Sequence, residues 1–343
     1  MINKTPIMTN EGYKINDIKL NFDLINEKKE FNNISISSNF LEDITNKNIS
    51  SLEYGLGNNV IKNNEEYNNS NLFFTTVDKA DLNINYNFDD NNTNLCSSNE
   101  IVCKHDLNMN LVFESLTDSY NMLNNITKIT VQDGANVNLN IVNFLNKESN
   151  SLFSIEVICN DNSSINLNVI DLGSLNSIQN IYLKTKGTNS KINLNSLYMA
   201  NNNEIKDLNY ISHLCGEKSI VDMKIEGSLN DTASKSFKGT IDFKNGCFKS
   251  SGEESENCIL LSPNVISKSL PILLCSEEDV SGAHSSSSGS IDEEKIYYLQ
   301  TRGIDKMTAT KLVLKSNFSK ILDRIEESED LKNKINEEID RRL

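Results

Sequence analysis

Three histidines and seven cysteines are the residues of this 343-residue chain suited to holding a soft or borderline metal. His284 has the most distinctive surroundings, Asp279-Val-Ser-Gly-Ala-His-Ser-Ser-Ser-Ser-Gly. A neutral imidazole there can ligate iron, although a hydrogen bond within its own segment is the commoner role of such a residue. His213 and Cys215 lie two apart and face one side of an extended strand. A single pair of that kind is more often buried structure than a metal site. Cys258, in Glu256-Asn-Cys-Ile-Leu-Leu-Ser, reads as a small core residue. Ser285–Ser288 suits a linker, a phosphoacceptor run or small residues passing a tight interface.

The motifs of common enzymes are missing. The chain contains no Gly-x-x-x-x-Gly-Lys-Ser/Thr, Gly-x-Gly-x-x-Gly, His-Glu-x-x-His or Gly-x-Ser-x-Gly. A formal net charge of −15 argues against nucleic acid and anionic membranes as partners, since both demand a basic face. No apolar run reaches the length of a membrane span, and Met1–Pro6 does not open an export leader. The cysteines are odd in number and never in Cys-x-x-Cys spacing, so free thiols in a reducing cytoplasm are expected. Asn, Ile and Lys are abundant throughout, which reads as a compositional bias and not as a functional tract.

The elements that must carry these residues follow from periodicity. Residues 1–70 are polar and weakly periodic, with short amphipathic pieces such as Ile15 to Leu24 and loop-like stretches such as Asn58–Asn71. A poorly packed, divergent N-terminal region is expected there. From about Leu72 apolar residues alternate, as in Leu82, Ile84 and Tyr86 or Phe153, Ile155 and Val157, the signature of strands with one buried face. Asn136-Val-Asn-Leu-Asn-Ile, Ser164-Ile-Asn-Leu-Asn-Val and Lys191-Ile-Asn-Leu-Asn-Ser recur at intervals of 28 and 27 residues, with further strands between them. Two strands per repeat suit a coil that stacks on its neighbour. An antiparallel sandwich is the alternative, but Asn-Gly hairpin turns are nearly absent, Asn245-Gly246 excepted. Asn suits solenoid corners because it tolerates left-handed backbone. The expected core, residues 71–289, is elongated and thin.

After Gly289 the pattern turns helical. Ser290 or Asp292 can cap a first helix and Gly303 can stop it. A second helix starts near Asp305, and a third holds Phe318, Ile321, Leu322 and Ile325. Leu331, Ile335, Ile339 and Leu343 form one narrow stripe, fit either to dock on the chain itself or to bind a partner. Residues 290–343 are thus expected to form a helical subdomain.

From Ile211 to Ile325 the sequence resembles the SufB/SufD family of iron–sulfur cluster assembly proteins. The resemblance is clearest in Leu270-Pro-Ile-Leu-Leu-Cys-Ser-Glu-Glu-Asp-Val-Ser-Gly-Ala-His and its continuation to Arg302-Gly-Ile. Phe237-Lys-Gly-Thr-Ile and Asn257-Cys-Ile-Leu-Leu-Ser resemble family strands, and Ala309, Leu312, Val313 and Phe318 resemble its helices. Gly289 and Ile291-Asp292 look most like the SufD branch, and no N-terminal cysteine cluster of the SufB kind is seen. Asn317 stands where the family has Gly, and Gly282 where some SufD members have a thiol. The N-terminal region is shorter and more divergent than the family's.

The resemblance implies a right-handed parallel β-helix followed by C-terminal helices. It implies pairing with a SufB-like protein and binding of a SufC-like ABC ATPase through those helices. Contacts to the ATPase fall around Tyr297, Tyr298, Arg302 and Gly303. A transient iron–sulfur cluster at the SufB-like interface, not held tightly by this chain alone, makes His284 the candidate ligand. The expected protein is a cytoplasmic, non-catalytic scaffold, with a homodimer possible in isolation. A solenoid without iron chemistry is the rival. A polysaccharide-acting β-helix is a further one, although the repeat faces carry mostly Asn where such sites need clustered carboxylates or Arg.

Overall fold

A computed structural model describes residues 2–7, 11–16, 21–43, 50–325 and 328–343. Alternation does what the sequence demands: every second side chain of the strands points into the space between two sheets. One sheet runs β1 (Ile34–Ser38), β4 (Ala80–Phe88), β6 (Leu107–Ser115), β8 (Asn136–Phe144), β10 (Ser164–Asp171), β12 (Lys191–Ala200), β14 (Ile220–Leu229), β16 (Ser250–Leu260) and β18 (Val280–Ser290). The other runs β17 (Ile266–Cys275), β15 (Ser234–Phe243), β13 (Ile205–Leu214), β11 (Asn176–Thr185), β9 (Asn150–Cys159), β7 (Met122–Val131), β5 (Asn94–Cys103), β3 (Ser70–Thr76) and β2 (Leu41–Asp43). Strands β3 to β18 therefore alternate between the sheets, and neighbours within a sheet are parallel. This is a β-solenoid of about eight turns, not a sandwich. Among the described residues only β1 and β2 pair antiparallel, at the first-coil end.

One continuous apolar column fills the coil, from Phe31, Leu82 and Ile84 through Leu139, Leu167, Leu194 and Met223 to Phe243 and Cys258. Its narrow width is what an apolar fraction of 37% permits. At one row of corners the backbone is left-handed at Gly134, Asn162, Asn189, Lys218 and Lys249, and at the other at Ser174, Asn202 and Asp231. Asn fills three of these corners and Asp another, as their tolerance of that conformation predicts, while Lys and Ser fill others at a cost in strain. Asn245-Gly246 turns a solenoid corner between β15 and β16, not a hairpin.

Abundant Asn also has a structural use that composition did not disclose. Register stacks Asn108, Asn138, Asn166 and Asn193 on successive coils, and Asn110, Asn140, Asn168 and Asn195 beside them. Each amide donates to the one before it, for example Asn166 to Asn138 at 2.9 Å and Asn193 to Asn166 at 2.7 Å. The second ladder ends on Arg324, whose guanidinium donates to Asn195 Oδ1 at 3.0 Å.

Outside the coil the N-terminal segment differs from expectation. Asn58–Tyr67 is a helix, α1, and not a loop. Asn has modest helix propensity, but tertiary bonds offset it: Asn64 donates to Ser97 O and Asn124 O, and Asn63 to Ile25 O. Ile2, Ile25, Leu56 and Val60 pack on Cys96, Met122, Leu152 and Ile178, so this region is docked on the second sheet. Of the expected amphipathic piece from Ile15 to Leu24, residues 17–20 lie outside the described residues.

At the other terminus α2 (Glu293–Thr301) is capped by Asp292, whose carboxylate accepts from Lys295 N at 3.1 Å. Gly303 follows it with φ 85°. The expected second and third helices are one helix, α3 (Lys306–Leu322), because nothing between Asp305 and Leu322 breaks the hydrogen-bond ladder; Ile325 lies just beyond it. The stripe of α4 (Glu329–Arg342) is docked on the chain itself: Leu331, Ile335 and Ile339 share a cluster with Val112, Val142, Ile170 and Leu197 of the first sheet and Phe318 of α3.

Candidate functional site

The last coil leaves the solenoid open. Strand β18 is exposed along nearly its whole length and pairs on one side only, with β16. Gly282 fixes which way its side chains point. A Cβ at Gly282 would meet Phe243, in the coil's core, and Leu273, the register partner of core Ile241 at the open end, at 3.0 and 3.1 Å. Ser286, four residues on, donates from Oγ to the buried Glu256 at 2.8 Å. Alternation then turns His284, between them, toward the mouth of the coil. Its register partner one coil inward is Glu254.

Beneath the mouth lie charges where a coil interior is normally apolar. Glu256 is 2% exposed and accepts from Lys235 Nζ at 2.6 Å, Tyr198 Oη at 3.0 Å, Ser269 Oγ at 2.9 Å and Ser286 Oγ. Lys235 also donates to Ser269 at 2.9 Å. This network ties both exposed terminal strands, β17 and β18, to the interior. Tyr198 is held neutral by burial first and by Cys258 and Glu256 beside it.

Glu254 has the same burial and none of the partners. It is 1% exposed, and neither carboxyl oxygen has a hydrogen-bond partner. Burial, then the neighbouring Glu256, push its pKa up to about 8. Its seat exists because residue 239 is glycine: a Cβ there would lie 2.0 Å from Glu254 Oε2. The mouth thus presents one exposed imidazole backed by an unpaired acid and by a neutralised one.

The remaining candidates lie elsewhere. His213 is 5% exposed, with Nδ1 2.9 Å from Tyr182 Oη and Nε2 3.6 Å from Asp242 Oδ2. Tyr54 and Tyr182 both set their rings at right angles to it, and burial, then Lys244, lower its pKa. Cys215 is half-buried and Cys258 buried, both with thiols pushed up by burial. All three sit among neighbouring side chains of the coil. Among the described residues no group of three or more His, Cys, Asp or Glu is arranged to hold a metal.

Tyr297, Tyr298, Arg302 and Gly303 are gathered at the far end of α2, on a different element from His284. Tyr297 and Tyr298 are 70% and 57% exposed. The Arg302 guanidinium sits 5.3 Å from the Tyr298 ring centroid. Met307 and Leu312 on α3 are exposed as well, while Ile296, Ala309 and Val313 form the small core that joins the two helices. Glu254, Glu256, Lys235 and Gly239 were not singled out from sequence. The available signal was polar side chains at the inward positions of an alternating strand, Gly252 to Cys258.

Fold and mouth together define a two-sheet solenoid with a helical C-terminal region and an open last coil. A family model described as "SUF system FeS cluster assembly, SufBD core domain" matches residues 86–317, and the chain belongs to that family. It is 36% identical over 88 residues to the iron-sulfur cluster assembly protein SufD of Bacillus subtilis (strain 168), covering 26% of this chain and 20% of that protein. It is 26% identical over 168 residues to the iron-sulfur cluster assembly protein SufD of Escherichia coli (strain K12), covering 48% of this chain and 38% of that protein. The aligned stretches span well under half of these curated relatives.

Proposed function

We propose that this chain is a SufD-like scaffold subunit of a cytoplasmic SUF machine. It pairs with a SufB-like protein and carries no catalytic site of its own. The exposed last coil, bearing His284 toward an open mouth, is the observation that supports this reading best. An unpaired edge of a parallel sheet is a ready surface for another chain. The iron–sulfur cluster is cargo, held transiently: His284 supplies one imidazole and the SufB-like partner supplies the other donors. A SufC-like ABC ATPase binds the exposed face of α2, through Tyr297, Tyr298, Arg302 and the turn at Gly303. Motion of the ATPase then reaches the mouth along the short link from α2 to β18. Neither nucleic acid nor membrane is a partner, and the same edge leaves the isolated chain able to pair with a second copy of itself. No helix among the described residues is long and apolar enough to cross a membrane.

Co-purification from native cytosol with an N-terminal tag tests the reading. Recovery of an ABC ATPase with a SufB-like protein is the expected result, and recovery of neither overturns it. In the reconstituted complex, His284→Ala is expected to abolish cluster loading while both partners stay bound. Full loading of that variant removes the ligand role. Tyr298→Ala with Arg302→Ala is expected to lose the ATPase alone.

A further inference from the structure

We propose that Glu254 is the positioning residue of His284: its carboxyl accepts the N–H of the inward imidazole nitrogen, which fixes the tautomer and turns the other nitrogen out of the mouth. The inference rests on the reading of His284 as a ligand and names how that ligand is prepared.

Four observations converge on the pair. Glu254 and His284 are register partners on adjacent parallel strands, so their Cα atoms are one strand spacing apart, about 5 Å. Both point inward, Glu254 by its burial and His284 by its place between Gly282 and Ser286. Both oxygens of Glu254 lack a partner, although donors are close at hand: Lys235, Tyr198, Ser269 and Ser286 all go to Glu256. A buried polar group left unmade is costly, so an acid retained there has a partner to meet. Gly239 keeps the seat open, since any side chain at that position would displace the carboxyl. His284 is exposed on the adjoining strand, one register position from the carboxyl. Metal-ligating histidines generally donate their second N–H to a carboxylate or carbonyl, and this carboxylate is the one placed behind the imidazole.

The test is a long-range proton–nitrogen NMR spectrum of the full chain, labelled with nitrogen-15 histidine, without metal and at one fixed pH. The chain has three histidines, and His284→Gln assigns the relevant one. In the unsubstituted protein His284 should show one dominant tautomer. Glu254→Met keeps the volume and removes the acceptor, and should move the tautomer ratio about fivefold, the weight of one ordinary hydrogen bond. Glu254→Gln keeps an acceptor oxygen and should restore the original ratio. An unchanged ratio in Glu254→Met overturns the proposal, and so does a Gln variant that shifts as far as Met, since that would mean the residue only fills space. If Glu254→Met does not fold, Gly239→Ala displaces the carboxyl instead, and an unshifted ratio there is equally fatal. Because no metal is present, failure here is separate from failure of the His284→Ala loading test.

Discussion

Glu254 and Glu256 sit two residues apart on one face of β16 and meet opposite fates. Glu256 gains Lys235 and three hydroxyl donors, and Glu254 gains none. Removing the counter-charge should be severe: Lys235→Met strands a buried carboxylate, and a loss of about 3–5 kcal/mol is expected in urea unfolding. Glu254 gives a pH signature of definite sign. Folded, it titrates at about 8; unfolded, near the ordinary glutamate value of about 4.3. Between those values the unfolded chain releases a proton that the folded chain keeps. Stability therefore falls as pH rises through that window and levels off above it. Glu254→Gln should remove this slope. Melts at pH 5 and pH 8 check it: the variant should gain on the parent at pH 8, and the gap should shrink toward pH 5.

Among elements, the strands stack by amide ladders and turn at strained corners, and each has its own cost. Asn166 both donates to Asn138 and accepts from Asn193. Asn166→Ala breaks two rungs at once and should lower stability by about 1–2 kcal/mol in denaturant titration. Lys249 turns its corner with φ 58°. Lysine gains nothing from that conformation, whereas Asn populates it readily. Lys249→Asn should raise the midpoint of thermal unfolding slightly, by about 0.5 kcal/mol of stability, and a lowered midpoint would count against strain at that corner.

Over the whole molecule, the coil is covered on both broad faces, by the N-terminal segment and α1 on one and by α3 and α4 on the other. The two ends are unlike. The first coil is closed by the antiparallel β1 and β2, and the last is left open beside His284. The α4 cover is held by its stripe of Leu331, Ile335 and Ile339 and by ion pairs of Arg342 with Glu204 and Lys334 with Glu114. Ile335→Asp should release it, at a local cost of about 3 kcal/mol or more. Limited proteolysis should then cut within α4 while the sheet signal in circular dichroism and its melt persist. Loss of the sheet signal would show that α4 is integral to the coil.

Much of this architecture was legible from residue order. Alternation at Leu82, Ile84 and Tyr86, the 28- and 27-residue recurrence of Ile-Asn-Leu-Asn, the Asp292 cap and the Gly303 stop are all local patterns, and local patterns set local backbone and which face is apolar. His284 was legible as well, through the residues around it. Three things were not. Asn58–Tyr67 is helical because its Asn side chains find carbonyls more than 30 residues away, on Ile25 and on strands β5 and β7. Lys206, Lys235 and Lys238 are buried because each meets an acid across the fold, Asp171, Glu256 and Asp207 respectively. Glu254 is unpaired because β15 brings a glycine and no donor to its carboxyl. Periodicity tells a side chain which way to point. What it meets there is decided by the neighbouring coil, and only the stacked structure brings that coil within hydrogen-bonding distance.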